Sequence, residues 1–79
     1  MDYQQQLSQW GFTQSNSNPP IYDRGDWCNT LRVRDNQNGT YSSLLVMDGF
    51  RDGVPHEIQS DYNSVDEMMD DVGEYILCN

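Results

Sequence analysis

The 79 residues make a single domain, because a chain this short buries only about 60–65% of the surface that its unfolded form exposes. Thirteen acids, four arginines and no lysine give a net charge of −9, which excludes direct binding to nucleic acid or to an anionic membrane surface, since both need a basic footprint. The charge favours basic protein partners, although acidity that only keeps the protein in solution gives the same composition.

The first ten residues lack the basic and apolar segments of a secretion signal, and no stretch is long enough to cross a bilayer. We therefore expect a cytoplasmic protein. In that reducing compartment Cys28 and Cys78 are expected to be free thiols rather than a disulfide.

The N-terminal part predicts one short helix followed by a loop. A helix over residues 3–10 has Asp2 to cap its start and Gly11 to end it in the left-handed conformation. The polar run TQSNSNPP, residues 13–20, then predicts a loop that the two prolines leave in an extended conformation.

The middle predicts a three-stranded antiparallel β-meander whose register follows from its turns. Asn38-Gly39 is typical of a two-residue type I′ hairpin loop, which places Val33 opposite Leu44 and Leu31 opposite Val46. These four apolar residues then share one face of the sheet.

The second turn, Arg51-Asp52-Gly53, suits a three-residue loop with Gly53 in the left-handed conformation. It sets Ile58 beside Val46 and Ser60 beside Leu44. Both turns therefore predict the same buried face.

The other face of the central strand also carries apolar residues, Leu45 and Met47, in this register. The residues expected beside them are Arg32, Arg34 and Ser43. Either the segment 19–22 folds over Leu45 and Met47, or the two form an apolar spot on which another protein docks.

Residues 64–77 predict a C-terminal amphipathic helix. Ser64 and Glu67 form a capping box, and Gly73 is a weak interior position that indicates close packing on the sheet. The apolar stripe with helical spacing is Val65, Met68, Met69, Val72, Tyr75 and Ile76. The expected fold over residues 1–79 is therefore one α-β-β-β-α domain of the α+β class, with the acidic helix packed on one face of the sheet.

The polar face of this helix carries five carboxylates and no basic residue: Asp66, Glu67, Asp70, Asp71 and Glu74. Asp66, Asp70 and Glu74 follow one another at i, i+4 spacing, where like charges repel by a few tenths of a kcal/mol per pair and lysine relieves them. Strand three adds Glu57 and Asp61 on the face opposite Ile58, roughly 13 Å apart.

Charge is also segregated along the chain, since residues 52–79 hold eight acids and no arginine, while all four arginines lie in residues 24–51. Carboxylates fixed at a spacing on the order of that between successive phosphates can occupy a groove made for a nucleic-acid backbone. We therefore predict a partner-binding surface made of Asp66, Glu67, Asp70, Asp71, Glu74, Glu57 and Asp61.

Catalysis and metal binding have weak support in the sequence. His56 has acidic neighbours, but no motif provides a nucleophile, and 79 residues leave little depth for a cleft. The two Asp- and Gly-containing turns lack the ligand order of calcium loops, and two cysteines with one histidine do not give zinc spacing. We expect no enzyme activity, no metal and no cofactor.

In size, charge and layout, with an acidic C-terminal half around SVDEMMDDVGEY and a hairpin at DNQNGTY, the chain resembles the small phage-encoded anti-CRISPR proteins that imitate DNA. We expect a monomer or small homo-oligomer, which acts in the host cytoplasm if the chain is phage-encoded. The resemblance implies an inhibitor that occupies the PAM-reading or DNA-channel site of a CRISPR effector.

Two alternatives remain open. The first is an immunity protein or antitoxin that caps a basic nuclease toxin. The second is a non-inhibitory adaptor that docks through Leu45, Met47 and Arg32, with the acids serving only solubility.

Overall fold

The computed structural model of the protein describes residues 2–26, 29–48 and 53–78. In chain order its elements are α1 (Tyr3–Gln9), β1 (Thr13–Ser17), β2 (Pro20–Asp26), β3 (Asn29–Asp35), β4 (Tyr41–Met47), β5 (His56–Tyr62) and α2 (Val65–Cys78). All five strands form one antiparallel sheet in the order β1-β2-β3-β4-β5. The predicted α+β class and both helices are confirmed, whereas the predicted count of three strands is wrong.

The additional hairpin of β1 and β2 includes the segment that the sequence predicts to be a loop. Thr13 pairs with Asp23, and Ser17 pairs with Pro20. Every residue of β1 is exposed, so no alternation of apolar and polar side chains marks it as a strand. Pro20 opens β2, a position in which a strand tolerates the missing N–H. These residues therefore extend the sheet and do not fold over Leu45 and Met47.

The register between β3 and β4 differs by one residue from the prediction. Val33 lies opposite Ser43, and Leu31 lies opposite Leu45. The prediction of a two-residue turn is wrong, because the strands are joined by the five residues 36–40. Gln37 (63°) and Gly39 (88°) in this loop have positive φ.

Side-chain hydrogen bonds explain the longer loop. The Asp35 carboxylate accepts the backbone N–H of Gln37 at 2.8 Å, and the Asn38 side-chain oxygen accepts the N–H of Thr40 at 3.1 Å. The backbone N–H of Asn36 donates to the Thr40 carbonyl at 3.1 Å and closes the loop. Asn and Asp favour such local bonds, and here they decide the turn.

A shift of one residue moves every side chain of β4 to the other face. Leu45 and Ser43 therefore lie on the face that also carries the buried Leu31 and Val33. On β5 the partners shift with them: Ile58 pairs with Leu45 rather than Val46, and Ser60 pairs with Ser43 rather than Leu44. Gly53 has the expected positive φ of 72°, while Arg51 and Asp52 lie outside the described residues.

Both helices pack on this same face of the sheet. The core beneath them consists of Leu7, Phe12, Tyr22, Leu31, Val33, Tyr62, Met68 and Val72. Tyr3 fixes α1 by donating its hydroxyl to Asp35 at 2.9 Å. The opposite side of the sheet carries no described helix, and we call it the open face.

The predicted caps of α1 are confirmed, although the helix ends at Gln9, one residue before the predicted Trp10. The Asp2 carboxylate accepts the N–H of Gln4 at 3.3 Å. Gly11 has φ 92°, and the N–H of Phe12 reaches back to the Leu7 carbonyl at 2.9 Å. This is a Schellman ending, in which the contact between Leu7 and Phe12 is apolar.

The nearest neighbour of Gly73 is Trp10, the C-cap residue of α1, where the sequence predicts the sheet. A Cβ built at this position lies 3.0 Å from Cη2 of Trp10, closer than ordinary van der Waals contact.

We expect Gly73→Ala to raise the free energy of unfolding by less than the roughly 1 kcal/mol that helix propensity predicts. In a Trp10→Leu background the same change should give the full gain. Urea unfolding of the four proteins in this cycle measures the coupling, and an equal effect of Gly73→Ala in both backgrounds would contradict the contact.

Candidate functional site

The five carboxylates predicted on α2 are all exposed and lie outside the apolar stripe that packs on the core. We call Asp66, Glu67, Asp70, Asp71 and Glu74 the acidic face. The opposite side of the helix is anchored by Met68 and Val72, which are 0% and 2% exposed. Each i, i+4 step along this face rises about 6 Å, so the core holds the carboxylates in a fixed row.

Two of the five carboxylates have hydrogen-bond partners that position them. Glu67 forms half of the predicted capping box: its N–H donates to Ser64 Oγ at 3.2 Å, while its Oε2 accepts the N–H of Asn63, the residue before the N-cap, at 3.1 Å. Asp71 accepts a hydrogen bond from the Tyr62 hydroxyl. Within the described part of the chain, Asp66, Asp70 and Glu74 have no hydrogen-bond partner.

No arginine neutralises the acidic face within residues 2–26, 29–48 and 53–78. An ion pair on the open face joins Arg32 to Asp23 at 2.8 Å. Charge of both signs therefore meets on the sheet, whereas the helix presents one sign only.

Glu57 and Asp61 do not join the acidic face. Glu57 pairs with Val46, and Asp61 pairs with Ser42, so both lie on the open face, as predicted relative to Ile58. Asp61 accepts a hydrogen bond from Ser42 Oγ at 3.1 Å. The seven predicted site residues therefore divide between two sides of the molecule.

The open face combines apolar and cationic side chains. Leu44 and Val46 lie there and are half-buried, together with the exposed Arg32 and Arg34. The prediction that Leu45 and Met47 form an apolar spot on this face is therefore wrong. Leu44 and Val46, their neighbours in the chain, occupy the open face instead. The cause is the register shift described above.

Tyr62 and Ser43 support the acidic face and were not predicted as site residues. Tyr62 is 7% exposed and its hydroxyl lies 3.0 Å from Ser43 Oγ as well as against Asp71. The hydroxyls of Ser43 and Tyr62 thus link the sheet to the carboxylate of Asp71 on α2. In the correct register Ser43 falls on the core face, which is the signal that could have identified it.

Burial, and after it the hydrogen bond to Asp71, raises the pKa of Tyr62. Burial, the hydrogen bond to Asp35 and its charge likewise raise the pKa of Tyr3, and burial with the Asp35 charge raises that of Tyr41.

These shifts predict loss of stability in alkali. Unfolded tyrosine ionises near pH 10, and above that pH the unfolded chain releases protons that the folded chain retains. The contribution of these groups to the free energy of unfolding should therefore be constant below about pH 10 and decrease as the pH rises above it. Urea unfolding between pH 8 and 11 tests this, with Tyr3→Phe expected to flatten the decline. An unchanged decline in that variant would contradict the assignment.

The remaining candidates from the sequence add no further site in the part of the chain that the structure describes. His56 is exposed on β5, and no group of three metal-ligating side chains occurs among the described residues. No helix in the described part of the chain is both long and apolar enough to cross a membrane. Cys28 and Trp27 lie outside the described residues, as does the side chain of Cys78.

Comparisons of the chain with protein-family models, with curated proteins and with solved structures give no match.

Proposed function

We propose that the protein is an inhibitor that binds the nucleic-acid-binding site of a basic protein, such as a CRISPR effector, and that the acidic face of α2 takes the place of DNA there. The observation that carries the proposal is that five exposed carboxylates on one rigid helix lack a cationic partner among the described residues. Repulsion along such a row costs folding energy, and a cationic partner relieves it.

The physical basis is complementarity of charge. A nucleic-acid-binding groove holds Lys and Arg that neutralise phosphates and release counterions. Because α2 is already folded against the sheet, its backbone need not be ordered on binding, which lowers the entropy cost of forming the complex. The acidic face therefore competes for side chains that the target already presents.

The α2 surface is favoured over Glu57 and Asp61 by its surroundings. On the open face Arg32 and Arg34 accompany these two acids, and Arg32 is already paired with Asp23 at 2.8 Å. Positive charge on that face opposes its entry into a cationic channel.

Two variants of equal net charge test the proposal. Asp66→Asn, Asp70→Asn and Glu74→Gln together neutralise the acidic face, whereas Asp48→Asn, Glu57→Gln and Asp61→Asn remove the same three charges elsewhere; each variant has net charge −6 (−9 + 3). Pull-downs from a bacterial lysate at low and high salt should capture nucleic-acid-binding proteins with the wild type and with the second variant. The first variant should lose them, and high salt should weaken capture because it screens exposed charge.

The same experiment separates the alternatives. Equal loss by both variants would show that overall acidity, rather than the acidic face, drives binding. Retained capture by the first variant would contradict the proposal and favour the adaptor, for which the open face with Leu44 and Val46 is the specific observation. A nuclease toxin among the captured proteins, encoded beside this chain, would favour the immunity protein.

The first variant should also be more stable by a few tenths of a kcal/mol for each relieved i, i+4 pair.

A further inference from the structure

A groove of about 320 Å³ runs between the C-terminal half of α2 and strands β4 and β5. Its floor includes the apolar side chains of Leu45 and Ile58, and its rim carries Asp71 and Glu74 from the acidic face. This volume lies at the lower end of the roughly 300–1,000 Å³ typical of ligand pockets. It suits one long side chain better than a folded element.

Ile58 shows that the groove is open. Its pairing with Leu45 places it on the face that the helices cover, yet its side chain is 52% exposed. Leu31 and Val33, nearer the middle of the sheet, are buried, whereas Ile58 on β5 remains accessible. An apolar wall therefore stands next to the acidic rim.

The acidic rim of the groove is fixed from below. The Tyr62 hydroxyl donates to Oδ2 of Asp71 and also contacts Ser43 Oγ at 3.0 Å. Oδ1 of Asp71 has no partner among the described residues, and neither has the carboxylate of Glu74, one turn further along the helix. The rim thus offers acceptors whose position the core determines.

We infer that this groove receives an arginine side chain of the partner, so that it is the anchoring pocket of the acidic face; the inference rests on the proposed function. The methylene stem of arginine packs on apolar surface while its head stays near polar groups. Its planar guanidinium presents five donors in a fixed fork and is more weakly hydrated than an ammonium. Arginine therefore matches an apolar floor beside carboxylates better than lysine does, and a nucleic-acid-binding site supplies it.

A small probe tests the pocket without the partner. The blocked tripeptide acetyl-Gly-Arg-Gly-amide is titrated into the full chain labelled with ¹⁵N, beside the same peptide with lysine or with citrulline, the uncharged isostere of arginine. We expect the arginine peptide to shift the amide signals of residues 58–60 and 71–75. It should bind at least threefold more tightly than the lysine peptide, and the citrulline peptide should not bind.

Three variants locate the site. Asp71→Asn with Glu74→Gln should weaken the arginine peptide at least tenfold, whereas Asp66→Asn with Asp70→Asn, which removes the same charge, should weaken it less than twofold. Asp71→Asn retains an oxygen that can accept from the Tyr62 hydroxyl, which limits the loss of stability. Ile58→Thr leaves the charge unchanged and should weaken binding at least threefold, an effect that an acidic cluster alone does not predict.

The outcomes distinguish this inference from the proposed function. Equal weakening by the two double variants, or no effect of Ile58→Thr, overturns the pocket and leaves the acidic face as a general cationic surface. Retained partner capture after neutralisation of Asp66, Asp70 and Glu74 instead contradicts the proposed function, whatever the peptide does.

Discussion

Replacing Met68 with alanine is expected to lower the free energy of unfolding by about 2–5 kcal/mol, the range for truncating a fully buried Met, Leu or Ile. Met68 is 0% exposed and packs in the core below α2. Because a small domain has only about 5–15 kcal/mol of stability in total, this change should shift the urea midpoint strongly. It tests the anchoring of the helix that presents the acidic face.

The matched control is the neighbouring Met69, which lies at the edge of the core and is only partly buried. Met69→Ala should cost less than half as much as Met68→Ala. Both residues belong to the predicted stripe, so the sequence alone does not rank them. If the two costs were equal or reversed, α2 would be rotated, and the acidic face would point in another direction.

Replacing Tyr62 with phenylalanine is the second large effect, expected at about 1.5–3 kcal/mol. The hydroxyl donates to the charged Asp71 and contacts the buried Ser43, and a hydrogen bond to a charged group is worth about that much. Removing it also leaves Ser43 without this buried partner. Thermal or urea unfolding measures the loss directly.

Tyr22 provides the control, because the same substitution there removes a hydroxyl whose hydrogen bonding is the opposite of that of Tyr62. Its oxygen is buried and has no hydrogen-bond partner among the described residues. An unsatisfied buried hydroxyl costs about 1–3 kcal/mol, so Tyr22→Phe should leave stability unchanged or raise it. A larger loss for Tyr22→Phe than for Tyr62→Phe would contradict the hydroxyl network that holds Asp71.

The sequence predicts the helices well because their signals are local. Asp2 and Gly11 delimit α1, and Ser64 with Glu67 marks the start of α2; each acts through hydrogen bonds within a few residues. The acidic face follows from the same periodicity, since the apolar stripe fixes which side of the helix faces the core. This part of the candidate site was therefore predictable.

The sheet was less predictable because its decisive features are not local or not apolar. β1 is wholly exposed and carries no hydrophobic pattern. The Asn38-Gly39 signal was overridden by side-chain bonds from Asp35 and Asn38 that close a longer loop. That one-residue difference exchanges Leu44 and Leu45 between the two faces. Neither the side chains of the open face nor the groove beside Ile58 could therefore be predicted from the sequence.

Competition with DNA is the most direct test of whether the acidic face substitutes for a polyanion. A DNA-binding protein captured by this chain is titrated with duplex DNA at increasing concentrations of the inhibitor, at fixed salt. Mimicry predicts that the apparent Kd for DNA rises in proportion to inhibitor concentration, and that neutralising Asp66, Asp70 and Glu74 abolishes the rise. If the captured protein binds DNA equally well with the chain attached, the acidic face does not occupy its DNA site.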